Sequence, residues 1–346
     1  MSRHQKKISD LAKKIIDDNH IIIDSNTGFL YCYENGRYVV QTKASINQLI
    51  ENHLKEPFSL KDQDRILYSI RSLAPIVDVK TLDNYEHLLN FSNCILDLDT
   101  GKLQNHSPKY MMTVKLPCTY IATMGKDLHD VAPTFSKLIG TLCNDDRDTM
   151  NTLCQFIAIA VSNINGCHIQ KALVLSGNSR EKKILLDLIP YLVGEDNMVT
   201  SEISALKKDT DKLKLYQKRL CIGTDLSFLT NNTIGLFKSL IGGNMLVAKI
   251  KYANSFIFQY KGLFIFDCNS LPIMQQSAPY YRRFIVINCS NSISPKESDT
   301  AIIEKLKEEK DAIVSYLVSL LPSIIQQNYR LDIPSACTTE GIDAVS

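Results

Sequence analysis

The stretch richest in chemistry is Gly177-Asn-Ser-Arg-Glu-Lys182-Lys183-Ile184, entered from the apolar run KALVLSG and left through the helical pattern ILLDLIPYLVG. A phosphate-gripping turn of the form G-x-x-x-x-G-K-[ST] needs that strand-turn-helix frame. Its glycines let consecutive amide N–H groups curl round phosphate, its lysine neutralises the charge, and its hydroxyl holds Mg²⁺. Here Gly177 and Lys183 occupy two of the key positions, while Lys182 replaces the second glycine and Ile184 the hydroxyl. The loop thereby gains a side chain able to fill phosphate space and has no oxygen for a metal. An ordinary polar strand-to-helix turn accounts for the same residues.

Four further groups carry candidate chemistry. Asp225 follows the strand-like RLCIGT, where nucleotide hydrolases place a carboxylate that organises Mg²⁺ or water; a helix cap is the plainer reading. Asn269 ends the strand-like GLFIFDCN, where an amide orients water near a terminal phosphate or merely makes a turn. The segment from Lys238 to Tyr252 holds a Gly-Gly-Asn turn and then Lys249 and Lys251 in alternation, a hairpin fit to touch a nucleic-acid backbone or a solvated strand face. Arg282 and Arg283 open the strand-like RRFIVINC, as a finger reaching a neighbouring subunit's nucleotide or as salt-bridge partners.

These residues need a frame, and the chain is long enough for one. Its 346 residues fit two domains, and 45% hydrophobic with 22% charged residues is a globular balance that excludes disordered or collagen-like chains. A net charge of +2 leaves nucleic-acid contact to local clustering. The ten cysteines form no C-x-x-C pair and there is no His cluster at zinc spacing, so free thiols in a reducing cytosol, and no zinc, are expected. No apolar run reaches the ~18 residues of a membrane span, which points to a soluble cytoplasmic protein without a membrane partner.

Ile8, Leu11, Ile15 and Ile16 lie at helical spacing, and IIIDSNTGFLYCYENGRYVV reads as short strands. Helices are expected near 47–54 and 62–72, a strand and a D-T-G turn in NFSNCILDLDTGKL, and another strand in MMTVKLPCTYI. Helical periodicity runs from Ala132 to Val161. Four apolar strands separated by helices then predict an α/β core whose sheet is covered on both faces, with ligands at the carboxyl ends of the strands. The expected division is a small N-terminal α/β domain at 1–127, the main α/β domain at 128–328, and a flexible tail at 329–346.

Each element is common singly, but their order resembles the superfamily III helicases of the AAA+ class, specifically the phage, plasmid and poxvirus primase-helicase family. NCILDLDTGKLQNHSPKYMMTVKLPCTY resembles the domain preceding that motor, KSLIGGNMLVAKIKY its DNA-contacting hairpin, and IIEKLKEEKDAIVSYLVSLL the helix after its core. The resemblance implies Lys183 as the phosphate-loop lysine, with Gly177 and Lys182 beside it. It further implies Asp225 in place of the usual glutamate, Asn269 as sensor, Arg282 or Arg283 as finger, and Lys249 with Lys251 lining the channel of a hexamer round single-stranded or forked DNA. A separate primase or replication initiator would be its partner. Lys182, Ile184, the shorter Asp225 and Asn244 for the usual Asp depart from the family pattern. Two readings follow. One is a DNA-binding relative in which ATP and Mg²⁺ bind weakly and turnover is impaired; the other is an active ATP-dependent helicase with an unusual loop. Under the first, Gly at 182 together with Thr at 184 is expected to raise turnover, and Lys183→Ala to change little.

Overall fold

The computed structural model of the chain describes residues 3–54, 59–123, 125–223, 231–251, 254–269, 282–289 and 299–338. It divides into two compact units, Met1–Tyr85 with His106–Val114, and Glu86–Asn105 with Lys115–Ser346.

In the first unit, α1 (Arg3–Asn19) buries Ile8, Ile15 and Ile16, the stripe expected from their spacing. Strands β1 (Ile22–Asp24), β2 (Leu30–Glu34) and β3 (Arg37–Val40) make an antiparallel meander. Helices α2 (Lys43–His53) and α3 (Leu60–Leu73) follow, and β4 (Ile76–Val77) joins β1 in parallel, giving the order β3-β2-β1-β4. Both helices start earlier than their apolar periodicity suggests, because Thr42 accepts the Ser45 N–H and Ser59 the Asp62 N–H, each satisfying a first-turn donor. Ile46, Ile50, Ile66 and Ile70 close the core against the sheet residues Leu30 and Cys32.

The second unit opens with a three-stranded antiparallel sheet, β5 (Leu88–Asn90), β6 (Ile95–Asp97) and β7 (Leu103–Gln104), in which the D-T-G turn joins β6 to β7. Helices α4 (Leu128–Val131), α5 (Pro133–Leu142) and α6 (Arg147–Ala160) come next. The helical stretch expected from Ala132 to Val161 is thus broken. Asn144 and Asp145 both adopt positive φ, and Asp146 restarts the chain as the cap of α6, accepting the Thr149 N–H at 3.0 Å.

Then follow β8 (Ala172–Ser176), α7 (Arg180–Val193), β9 (Met198–Thr200), α8 (Asp209–Lys212), β10 (Leu220–Gly223) and α9 (Asn231–Ile241). A hairpin of β11 (Met245–Lys249) and β12 (Ser255–Gln259) leads to β13 (Leu263–Cys268) and β14 (Phe284–Asn288), and α10 (Asp299–Ser319) and α11 (Leu321–Gln326) finish the unit. The main sheet has the order β14-β8-β13-β10-β9 and is parallel throughout. Its four apolar strands are those expected from the sequence. The fifth, β9, was not expected: three half-buried or exposed residues at the sheet edge carry little apolar signal.

Alternate residues of these strands feed opposite faces. Leu173, Leu175, Ile265 and Ile285 join one core with α5, α6, α7 and α10. On the other face Phe237 of α9 stacks on Phe284, with ring centroids 5.0 Å apart, and lies 5.8 Å from Phe266. A sheet covered on both faces is what near-continuous apolar strands require.

Three further expectations are corrected. The segment MMTVKLPCTYI forms no strand; its backbone makes isolated bonds, the Tyr38 N–H to Met112 O at 2.7 Å and the Leu116 N–H to Asn90 O at 2.8 Å. Residues 86–105 and 115–127, read from the sequence with the N-terminal domain, belong to the second unit. Within the segment expected to be a flexible tail, residues 329–338 are docked: Tyr329, Leu331 and Ile333 pack on the core, Cys337 is buried, and Thr152 Oγ1 donates to Asp332 O at 3.0 Å. Residues 339–346 lie outside the described residues. No helix among the described residues is long and apolar enough to cross a membrane.

Candidate functional site

The carboxyl ends of β8, β13 and β14 are laced together: the Gly177 N–H donates to Cys268 O at 3.0 Å, and the Cys289 N–H to Ser176 O at 2.6 Å. Gly177 turns the chain with φ +105°, a conformation that favours glycine. Only Asn178 and Ser179 then separate it from Arg180, the first residue of α7. Ser179 caps the helix by accepting the Lys182 N–H at 3.1 Å.

The inside of this turn is taken by a side chain of the chain itself. Lys182 is only 5% exposed. Its ammonium donates to Cys268 O at 3.1 Å and to Gly177 O, and pairs with the Asp267 carboxylate, Nζ to Oδ1 2.6 Å. A phosphate cradle presents amide N–H groups inward. This turn presents a carbonyl to a cation, the opposite polarity. Lys183, the lysine expected to hold phosphate, is exposed on the next helical position. Ile184 is 2% exposed and belongs to the apolar core, so the position expected to face a metal faces away from the turn. The residues as arranged therefore do not fit a triphosphate with its Mg²⁺, and Thr at 184 would bury a hydroxyl in the core rather than offer a ligand. Restored turnover from the paired Gly and Thr substitutions is accordingly no longer expected.

Asn269 follows β13 directly and is exposed at the same sheet edge. Asp225 lies outside the described residues. Arg180 pairs with Asp299 at the start of α10, tying the first turn of α7 to that helix.

Arg282 and Arg283 sit at the other end of the sheet. Arg283 O accepts the Ala172 N–H at 2.8 Å, so the pair lies beside the start of β8, about 13 Å along the strand from its carboxyl end. They are not brought together with Gly177 of the same chain. Lys171 joins them, its amine donating to Arg282 O. Burial, and then the Arg282 charge, pull the Arg283 guanidinium below its ordinary value; burial and both arginines do the same to Lys171. Three crowded cations make this edge strongly electropositive.

The hairpin forms a third location. Gly243 (φ +74°) leads into β11, and a Cβ there would meet the Cys167 Sγ at 2.5 Å and the Gln259 amide at 2.8 Å. Leu246, Ala248, Phe256 and Phe258 face inward, with Tyr216 edge-on to both phenylalanines. Lys249 ends β11 on the outer face and Lys251 is exposed just beyond it. Tyr252 lies outside the described residues.

Several participants carried no sequence signal strong enough to be singled out. Asp267 sits inside an apolar strand and Ser179 inside a polar turn, and only their approach to Lys182 gives them a role. His87, Asp97 and Asp99 bring potential metal-ligand atoms within 4.8 Å of one another, but one Asp97 oxygen already accepts the Asp99 and Thr100 amides of the D-T-G turn.

Residues 2–157 match the family model "D5 N terminal like", and residues 175–283 match "Family of unknown function (DUF5906)". Among solved structures, the chain is similar to the apo structure of the NrS-1 C terminal region (305–718). The TM-score is 0.64 at 15% identity, covering 100% of this chain and 75% of that one. It is also similar to the A form apo structure of the NrS-1 C terminal region-CTR(305–718), with a TM-score of 0.59 at 15% identity, covering 89% and 68%. At that identity the likeness is one of fold: a parallel five-stranded sheet flanked by helices and preceded by a small α/β unit.

Proposed function

We propose that this protein is a DNA-binding, helicase-like replication protein of a phage, plasmid or other mobile element, working in the cytoplasm as a ring in which nucleotide turnover is impaired. The D5-like match over residues 2–157 and the fold of the NrS-1 C terminal region support a D5-like replication protein with a DNA-related role. The strand order β14-β8-β13-β10-β9, with Gly177, Asn269 and the segment holding Asp225 following β8, β13 and β10, supports an AAA+ reading of the core.

The observation that carries the proposal is the contrast between two surfaces. Where a nucleotide would bind, Lys182 holds the turn with its own amine and leaves Lys183 outside. Where DNA would bind, the hairpin keeps Lys249 and Lys251 exposed. The electropositive edge of Lys171, Arg282 and Arg283 lies too far from its own chain's Gly177 to serve it and would serve a neighbour's anion, which favours a closed ring. On this reading a separate primase or initiator supplies what a weak motor does not.

Measuring ATP turnover with and without single-stranded DNA tests the reading. The expected result is DNA binding with turnover well below the order of 1 s⁻¹ typical of enzymes. Turnover at or above that rate, abolished by Lys183→Ala, would replace it with the active-helicase reading.

A further inference from the structure

Both faces of the hairpin carry apolar side chains, and among the described residues only one of them is packed. In the register Met245↔Gln259, Val247↔Ile257 and Lys249↔Ser255, the outer face carries Met245 at 60%, Val247 at 41% and Ile257 at 55% exposure. Cross-strand neighbours on one face touch, so Val247 and Ile257 make a single apolar ridge flanked by Met245 and capped by Lys249. The ridge and its lysine extend about 14 Å along β11. A strand that needed only to hold lysines toward phosphates would carry polar residues there, as solvated strand faces do.

The charge around the ridge selects its occupant. Lys249 and Lys251 stand exposed at one end of the ridge, and the aspartates of α8, which packs against β11, are each paired with a lysine three residues on, Asp209 with Lys212 and Asp211 with Lys214. A surface that is locally apolar and carries the exposed Lys249 and Lys251 at one end suits a polyanion that also exposes apolar planes. Single-stranded nucleic acid is such a molecule: its phosphates attract the lysines and its unstacked bases offer faces to cover Val247 and Ile257. A duplex keeps those faces inside its stack and shows the ridge only phosphate, sugar and groove edges.

We infer that the outer face of the β11–β12 hairpin is a base-contacting platform, in which Met245, Val247 and Ile257 hold unstacked bases while Lys249 and Lys251 hold the adjoining phosphates. This rests on the DNA-binding reading above and adds to it: the contact is selective for single strands, and part of its affinity is insensitive to salt. Lysine contacts release counterions and set the salt slope, whereas burial of the ridge shifts affinity at every salt concentration alike.

The test compares an oligothymidylate, an abasic phosphodiester strand of the same length and a duplex, each titrated across a salt series. The natural chain is expected to prefer oligothymidylate to the abasic strand by about tenfold. Val247→Thr with Ile257→Thr keeps β-branched residues at both exposed positions and so preserves the hairpin. That variant should bring the preference to within about twofold while leaving the salt slope unchanged. Lys249→Ala with Lys251→Ala should instead flatten the slope by about 1.4 and keep the preference, at about 0.7 per phosphate contact on a single strand. An unchanged base preference in the threonine variant overturns the platform. So does loss of oligomeric state in that variant by light scattering with the preference intact, which would assign the ridge to contact between copies. A salt slope untouched by removal of both lysines overturns the underlying DNA-binding reading.

Discussion

Replacing Lys182 by methionine removes the ammonium and keeps most of the buried stem, so the consequence is electrostatic rather than a cavity. Three acceptors lose their donor: Gly177 O, Cys268 O and the Asp267 carboxylate. Cys268 O keeps the Gly177 N–H. Removing one partner of a fully buried pair costs roughly 3–5 kcal/mol. Here the Asp267 side chain is 42% exposed and regains water, which brings the expected loss to about 2 kcal/mol. For a unit of this size that corresponds to a fall in melting temperature of about 4–8 °C. Thermal unfolding followed by circular dichroism reads it directly. Asp267→Asn should cost less than Lys182→Met, and Lys183→Met should melt with the natural chain because Lys183 is exposed. Equal melting of the Lys182 and Lys183 variants would refute the placement of the Lys182 ammonium inside the turn, and with it the argument that the turn is filled.

Gly243→Ala, forced to positive φ with its Cβ against the Cys167 Sγ, should destabilise the protein by about 2 kcal/mol, measured by urea unfolding, and weaken DNA binding by displacing the hairpin. Deleting residues 329–346 should lower stability by about 2–4 kcal/mol in the same assay, since Tyr329, Leu331, Ile333 and Cys337 leave the core; a truncated chain as stable as the full one would contradict the docking. Burial pushes the Cys32, Cys118, Cys154 and Cys221 thiols up to about 12 from 9.0. In the unfolded chain they ionise near the lower value, so their contribution to stability is complete below about pH 9 and is lost as pH rises from there toward about 12. Melting temperatures at about pH 8 and pH 10 should therefore differ, with the lower value at the higher pH, and thiol-alkylating reagents should react slowly with the folded protein.

On its own, the amino-acid sequence determined what depends on neighbours in the chain. The four apolar strands, the isoleucine stripe of α1, the hairpin after Gly242-Gly243 and the strand-turn-helix around Gly177 all follow from local periodicity and turn chemistry, and the structure contains each of them. Even the break between α5 and α6 had a signal, Asn144-Asp145-Asp146, which the continuing apolar periodicity masked.

Tertiary structure alone decided the rest. Strand β9 exists because β10 offers it a partner, and residues 86–105 join the second unit because β5, β6 and β7 pair with one another and Leu89, Phe91 and Leu96 enter its core. The sequence pattern named Lys183 as the phosphate lysine, but successive helical residues point about 100° apart, so which of two adjacent lysines enters the turn depends on how α7 docks on the sheet. With Ile184 drawn into the core, Lys182 is turned toward Asp267 and Lys183 toward solvent. Likewise the outward ridge of the hairpin became visible only once Tyr216, Phe256 and Phe258 had claimed its inner face, because alternation states that a strand has two sides and only packing states which one is covered.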